Sequence, residues 1–535
     1  MIMSGNFDNS GRLVWLILRR ERVISTIWIV LLVLFSASLA AGVGNMFDNQ
    51  ARQALAETLK NPGMIAMMGP VYGADNYTIG AMYSNVMFLW VIIATIVMNI
   101  FLVVRHTRAD EEKGRTEVVR SLPTGRLANL NATMIIAVIV NVVHGLLTGL
   151  SIAVMRVESM DFGACILYGA ALCVSGLVFA SLAALFSQLS SSSQGAMGYS
   201  FLMIGIFYIV RAAGDINSEA LSRVSPLGLV QRSQVFVENH WWPVLVLLLE
   251  FIVVAIIAYA LNSVRDIDQG FIPVRPGRKE ASIIMQTSFG LCFRLMRNSL
   301  ITWLIVMFLL GVSYGSMLGD IEIFVNQSEF YQMIIGVNDE YSVAQMFTTT
   351  VNSIAALFCL IPLLTTTLRS RSEEQENRSE HVLARVVTRT KYLADYVVLA
   401  FTSSVLFQCA TAFGLYVAGV AVLDEPISLG YLLKANLVYL PALWVMIGVT
   451  IFLIGLLPKA TSVIWVYFGL SFFISFIGRM LNLPDWFSKV SPLSYIPQLP
   501  VDSINYVVLI VLTVIAAALI VAGFVFYRKR DVVNQ

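Results

Sequence analysis

The sequence predicts an all-α polytopic membrane protein of twelve transmembrane helices, arranged as two parallel six-helix repeats related by a pseudo-two-fold axis along the membrane normal. Three observations predict it. Of the 535 residues, 58% are hydrophobic and 13% charged, with a mean hydropathy of +0.77, whereas soluble domains carry about a quarter charged residues. Twelve apolar runs each approach the ~20 residues that a helix needs to cross the hydrocarbon core. A charged insert at residues 110–126, DEEKGRTEVVRSLPTGR, occurs again 263 positions later at 373–389, EEQENRSEHVLARVVTR. The shift pairs Arg115 with Arg378, Thr116 with Ser379, Glu117 with Glu380 and Arg126 with Arg389.

The first half occupies residues 1–268. Residues 10–22, SGRLVWLILRRER, combine an apolar cluster with Arg19, Arg20 and Arg22, which suits a helix lying at headgroup level. At an offset of 275, Arg19 and Arg22 fall on Arg294 and Arg297, so the second half, 269–535, is expected to carry its own interfacial helix near 281–298. The first apolar run is too long for the core of a signal peptide and lacks a small-residue cleavage site, which makes it a retained span. The spans are expected at 24–44, 81–104, 131–155, 163–187, 196–212, 243–263, 299–319, 345–367, 394–420, 431–457, 462–481 and 504–527. The fifth is short and ends at Arg211.

Orientation follows from the basic residues, which collect in cytoplasmic loops. Placing both termini in the cytoplasm puts most Lys and Arg inside, and leaves the acidic loop 320–344 outside with neither. The loop at 45–80 contains NPGMIAMMGPVYG, whose Pro and Gly residues interrupt a continuous helix; a short external helix folding back and a plain ordered loop both satisfy it. Before the last span of each half stands an external VSPL, with Ser225 and Pro226 in one copy and Ser491 and Pro492 in the other.

Enzymatic chemistry finds no support. The chain has no GxxxxGK[ST] phosphate loop, no HExxH and no glycine-rich dinucleotide fingerprint, and its five cysteines have no metal-ligand spacing. His144 lies in a span three residues after Asn141, on one helical face, and an interhelical hydrogen bond accounts for it. Glu250 is the one carboxylate deep inside a span, where charge costs about 2.5 to 3.5 kcal/mol, so it needs a partner, a proton or a cavity. Tyr83, Met87 and Phe88 on the second span suit either a substrate cavity, which Glu250 would join, or bundle packing.

The two inserts repeat acids as well as arginines, which a solvated basic loop does not explain. They suit a pair of equivalent cytoplasmic partners. The run EEKGRTEVVRSLPTGR resembles the EExGTxExLLxLPxSR signature between the second and third spans of type-2 ABC transporter permeases, and VSPL resembles their external re-entry segment. With six spans per half, the chain looks like the fused polyketide-antibiotic or tetronasin-resistance exporter permeases. The resemblance implies a permease subunit that exports hydrophobic or amphiphilic compounds, such as antibiotics or lipids, through a bacterial cytoplasmic membrane. It also implies two copies of a separate ABC ATPase, on which ATP and magnesium would sit, with no cofactor in this chain and no nucleic-acid partner. Carried over residue by residue, Glu111, Glu112, Gly114, Glu117, Pro123 and Arg126 match the signature, with Arg115 beside them. In the second insert Glu373, Glu374, Arg378, Glu380 and Arg389 remain, while Asn377 replaces the Gly and Val386 the Pro, which points to unequal coupling sites. A proton-coupled transporter of the major facilitator type is the alternative, although its basic loop between spans two and three is unlike these acid-rich inserts.

Overall fold

The computed structural model describes residues 5–46, 49–266, 268–272, 286–319, 342–384, 387–423, 426–477, 485–499 and 502–530. These form helices and connecting turns with no strand among them, and eleven of the helices are long and apolar enough to cross a membrane. The protein is a polytopic all-α membrane protein. Its chain divides into two compact units, Met1–Pro276 and Gly277–Gln535.

In the first unit, α1 spans Ser10–Met46 without a break, so the separate interfacial helix expected at 10–22 is instead the first turns of the first span. No proline or glycine lies between Arg12 and Ala41, and nothing else in that stretch ends a helix. At 1.5 Å per residue, 37 residues extend about 55 Å, well beyond the ~30 Å hydrocarbon thickness. The arginine-bearing turns therefore stand clear of the hydrocarbon as an extension of the span.

Two short helices, α2 (Asn49–Leu59) and α3 (Pro62–Met68), fill the loop that follows. The Asn61 side chain caps α3 by accepting from the Gly63 amide, and Pro62 sits at its first position, where no amide donor is needed. The carbonyls at the other end of α3 are claimed by later elements. Arg211 Nη2 donates to Ala66 O at 2.5 Å, Tyr208 to Met67 O at 2.7 Å and Gln231 Nε2 to Met68 O at 2.6 Å. The glycine- and proline-rich loop thus folds back as a short helix.

The remaining helices of this unit are α4 (Ile79–His106), α5 (Arg108–Glu112), α6 (Arg115–Arg120), α7 (Ala128–Met155), α8 (Phe162–Leu189), α9 (Ser193–Asn217), α10 (Glu219–Val224), α11 (Pro226–Gln231) and α12 (Trp242–Val264). The fifth span is longer than the sequence suggests, because α9 continues past Arg211 to Asn217. Arg211 is tolerated there because it is fully buried among acceptors: the α3 carbonyls, Asp215 at 3.3 Å and the face of Tyr208 at 4.6 Å. Helices α7 and α8 meet backbone to backbone. A Cβ on Gly145 would stand 2.4 Å from the Gly169 carbonyl oxygen, and one on Gly149 2.6 Å from that of Cys165, the close approach that small residues permit between spans. Asn99 of α4 and Asn141 of α7 exchange reciprocal side-chain hydrogen bonds at 2.9 and 2.6 Å, fully buried. That pairing occupies Asn141, so the polar partner expected for His144 is not there: both its ring nitrogens are buried without a hydrogen-bond partner.

The second unit contains α13 (Ser288–Ser316), α14 (Val343–Gln375), α15 (Arg378–Leu383), α16 (Arg389–Val422), α17 (Leu429–Leu437), α18 (Leu440–Leu456), α19 (Val463–Ile477), α20 (Asp485–Ser488) and α21 (Tyr506–Lys529). As in α1, Arg294 and Arg297 lie in the first turns of a continuous spanning helix, not in a separate interfacial one; 281–285 lie outside the described residues. Helices α13 and α16 approach at Gly311 and Gly414, where an added Cβ would stand 2.3 and 2.2 Å from the carbonyl oxygens of Thr411 and Phe308. The eleventh expected span, 462–481, coincides with α19, which has 15 residues; residues 478–484 lie outside the described set, as does most of the acidic loop 320–344.

Candidate functional site

Each charged insert folds as a short helix held against the ends of the spans by buried ion pairs. In the first unit, α5 continues α4 after a turn at Thr107, and Gly114 then reverses the chain with a left-handed backbone, φ 66° and ψ 6°, into α6. Glu111 points inward and is buried. Its Oε2 accepts from Arg108 Nη1 at 2.6 Å, and its Oε1 accepts from Arg265 Nη2. Arg265 follows the last residue of α12, so one carboxylate joins the insert to the end of the unit's last span. Around it, Gln188 Oε1 accepts from Arg265 Nε at 3.0 Å and from Asn262 Nδ2 at 2.8 Å, and Arg126 Nη2 donates to Arg265 O at 2.9 Å.

The second unit repeats this arrangement. Glu374 is buried; its Oε2 accepts from Arg371 Nη1 at 3.0 Å and its Oε1 from Arg530 Nη2, the residue after α21. Arg389 Nη1 donates to Arg530 O at 2.7 Å, as Arg126 does to Arg265 O. Asn377 holds the turn with φ 59° and ψ 9°. Asparagine is one of the few residues with a side chain that visits the left-handed region readily. The replacement of Gly114 by Asn377 therefore leaves the turn intact. Thr116 and Ser379 are buried at matching positions, and Glu117 and Glu380 lie exposed in the first turns of α6 and α15.

Not all of the acids expected at the docking surface are exposed. Glu111, Glu373 and Glu374 are buried beside arginines: Glu111 and Glu374 each accept two charge-assisted hydrogen bonds, and Glu373 forms ion pairs with Arg369 and Arg378. Glu112 is exposed, but its carboxylate accepts from the backbone and hydroxyl of Ser193, the first residue of α9, where a negative charge meets the positive end of the helix dipole. The outward-facing groups are Arg115, Glu117, Val118, Leu122 and Pro123 in one insert and Arg378, Glu380 and His381 in the other; Val386 lies outside the described residues.

The first insert carries further ties to α1 that have no counterpart among the described residues of the second unit. Arg20 of α1 forms a two-point pair with Asp110 at 2.8 and 3.2 Å, and Arg115 reaches the same carboxylate at 2.9 Å. Glu21, buried on α1, accepts from Arg105 at 3.0 Å and lies 2.8 Å from His106 Nε2. In the second unit Glu373 pairs with Arg369 at 2.5 Å and with Arg378 at 3.5 Å, while Leu295 and Met296 stand where the 275-residue offset would place Arg20 and Glu21. Arg19 lies over the Trp15 ring at 5.5 Å, and Arg22, Arg294 and Arg297 are exposed.

The residues proposed for a substrate cavity are not brought together. Tyr83 and Phe88 are packed in the core of the first unit. The Tyr83 hydroxyl donates to Ser36 O at 3.1 Å and lies 3.2 Å from that of Tyr168, whose ring is 5.0 Å from Phe88. Both lie in the buried core, as the packing alternative has it, and Met87 is partly buried against the same core. Glu250, on α12, is half-buried. At the other end, Ser225 Oγ donates to Phe207 O at 2.7 Å and Pro226 opens α11, while Ser491 is buried and Pro492 opens a 3-10 turn over Pro492–Tyr495. Sequence reasoning gives no role to Arg108, Arg371, Arg265 or Arg530. The signal was present: each pair recurs at nearly the spacing of the inserts, three residues before Glu111 or Glu374 and directly after the last span.

One family model, described as the C-terminal domain of the multidrug efflux system permease Rv1217c, matches the chain twice, over residues 12–265 and 285–528. The chain belongs to the multidrug efflux permease family. Over 536 aligned residues this permease is 31% identical to "Multidrug efflux system permease protein Rv1217c" of Mycobacterium tuberculosis (strain ATCC 25618 / H37Rv), covering 98% of the chain and 96% of that relative. The double match brings both inserts and both clasping glutamates of the permease under a single description.

Proposed function

We propose that the chain is the membrane subunit of an ATP-driven ABC exporter that moves hydrophobic or amphiphilic drugs out of the cytoplasm or inner leaflet. Two copies of a separate ATPase dock on the outward faces of α6 and α15, where the inserts and both termini lie in the bacterial cytoplasm. ATP and magnesium reside on that partner, and the permease supplies the moving halves. The observation that carries this reading is the repeated clasp. Two inserts with different sequences converge on one geometry in which a buried glutamate fixes the loop to the last span and leaves a short helix with an exposed glutamate at its first turn. A loop held this way transmits a push on Glu117 or Glu380 to a transmembrane helix through bonds of 3 Å or less, because packed elements of this kind move as rigid pieces.

The test is reconstitution of the permease with a candidate ABC ATPase partner. The expected result is a stable complex of one permease and two ATPase chains, whose hydrolysis is stimulated by hydrophobic drugs. Absence of any complex, with drug efflux that follows an imposed proton gradient instead, would overturn the proposal in favour of a secondary transporter.

A further inference from the structure

The clasp of the first unit borders an open cleft of about 450 Å³ lined by Arg120, Thr124, Arg126, Arg265 and Asp266. Three guanidinium groups converge there and they are unequally used. Arg265 is committed to Glu111 and Gln188. Arg126 gives one hydrogen bond to Arg265 O. Arg120, half-buried, makes a single long contact of 3.5 Å to Arg126 O. A guanidinium has five donors, and among the described residues neither Arg120 nor Arg126 has an ion-pair partner. Asp266 is the one acid on the wall, and Glu111 behind it is already shared between Arg108 and Arg265. Burial lowers the pKa of Arg120 from its usual value, Glu111 acts the other way, and the charges of Arg126 and Arg265 lower it again. Among the described residues, the cleft therefore carries positive charge in excess of the acids around it.

The second unit acts as an internal control on whether the fold needs this charge. Arg389 and Arg530 keep the clasp there, yet Leu383 stands at the position of Arg120 and Val387 at that of Thr124. Both pack with Val382 against Cys292, Tyr392 and Tyr396. The same loop thus closes over an apolar patch in one unit and a cationic cleft in the other, so Arg120 is dispensable to the clasp. Its depth suggests the ligand. Arg126 lies two residues before the spanning helix α7 and Arg265 directly after α12, which places the cleft where a span meets the headgroup layer. Basic pockets at that level bind anionic headgroups, and arginine matches phosphate oxygens with paired donors.

We propose that the cleft formed by Arg120, Arg126 and Arg265 is a phosphate site, filled by the headgroup of an anionic phospholipid. Full-length permease in zwitterionic micelles would be exposed to phosphatidylglycerol, to phosphatidylcholine of the same chains, and separately to millimolar inorganic phosphate, with retained lipid read by native mass spectrometry. Wild type is expected to keep phosphatidylglycerol over phosphatidylcholine, R120L to lose that preference by about ten-fold or more, and R120K to keep most of it. R120L copies the residue of the second unit, and its unfolding temperature without added lipid checks the fold; R120K reads the charge independently. Binding of inorganic phosphate to wild type but not to R120L, with no preference between the lipids, would retain the phosphate site and overturn the lipid as its source. Equal retention of both lipids by wild type and R120L, with no phosphate effect, overturns the proposal. If R120L instead weakened only ATPase capture, the cleft would belong to a carboxylate on the partner, and the phosphate assignment would fall.

Discussion

Asn377 holds the same left-handed backbone conformation as Gly114, φ 59° against 66°, at equivalent turns of the two inserts. A Cβ on Gly114 would meet nothing within 4 Å, so only the backbone angle restricts the residue there. Gly114→Asn is expected to fold normally, whereas Gly114→Val should cost about 1 to 2 kcal/mol, the penalty of a left-handed residue with a branched side chain. Thermal unfolding of the two variants in one detergent checks this, and equal loss in both would mean that contacts outside the turn restrict the site.

Removing the clasping carboxylate leaves buried arginines uncompensated. Glu111→Ala and Glu374→Ala should each destabilise their unit by about 3 to 5 kcal/mol, the usual result of breaking one side of a buried ion pair. Replacing Arg108 as well should recover part of the loss, since the double change removes the unpaired charge. A double-mutant cycle on unfolding temperature or expression level measures it.

The exposed glutamates should behave differently. Glu117→Lys and Glu380→Lys touch no buried partner, so stability is expected to stay within about 0.5 kcal/mol. Drug-stimulated ATPase activity of the reconstituted complex should fall in both. The fall should be unequal, because Arg20, Glu21 and Glu112 brace the first insert against α1 and α9. Matching losses in the two variants would show that this bracing does not affect coupling.

Arg211 anchors α3 to the opposite end of the first unit. Arg211→Met should free the Ala66 carbonyl, leave Met67 O to Tyr208 alone and leave Asp215 without its buried arginine. Labelling of a cysteine introduced at Ala66 by a membrane-impermeant reagent is expected to accelerate several-fold, and an unchanged rate would mean that Tyr208 and Gln231 hold α3 by themselves.

The polytopic helical class and the repeated inserts are legible because they rest on apolar run length and on repeated charge; eleven described helices, against twelve expected, are long and apolar enough to span. What was not legible depends on partners remote in sequence. Glu111 looked like an outward docking group because Arg265, its partner, is 154 positions away. The fifth span was ended at Arg211 because the carbonyls that accept its charge belong to a loop 144 to 145 positions earlier. Tyr83 and Phe88 suit a cavity or packing equally in sequence, because a span that is apolar all round gives no sign of which face meets protein and which meets lipid. In α1, arginines beside an apolar cluster suit a separate interfacial helix, although no residue there interrupts the one that continues into the span.

The unbroken course of α1 has a mechanical corollary. Arg20 is fastened to Asp110 of the insert, and the Ser36 carbonyl to Tyr83 of α4, sixteen residues further on, or about 24 Å along the axis. A straight strut pinned at two such points has no joint in which to absorb a displacement. Any sideways pull on the first insert must tilt the whole rod, so its far end swings in proportion, and the second unit, without the Arg20 pin, has no matching lever.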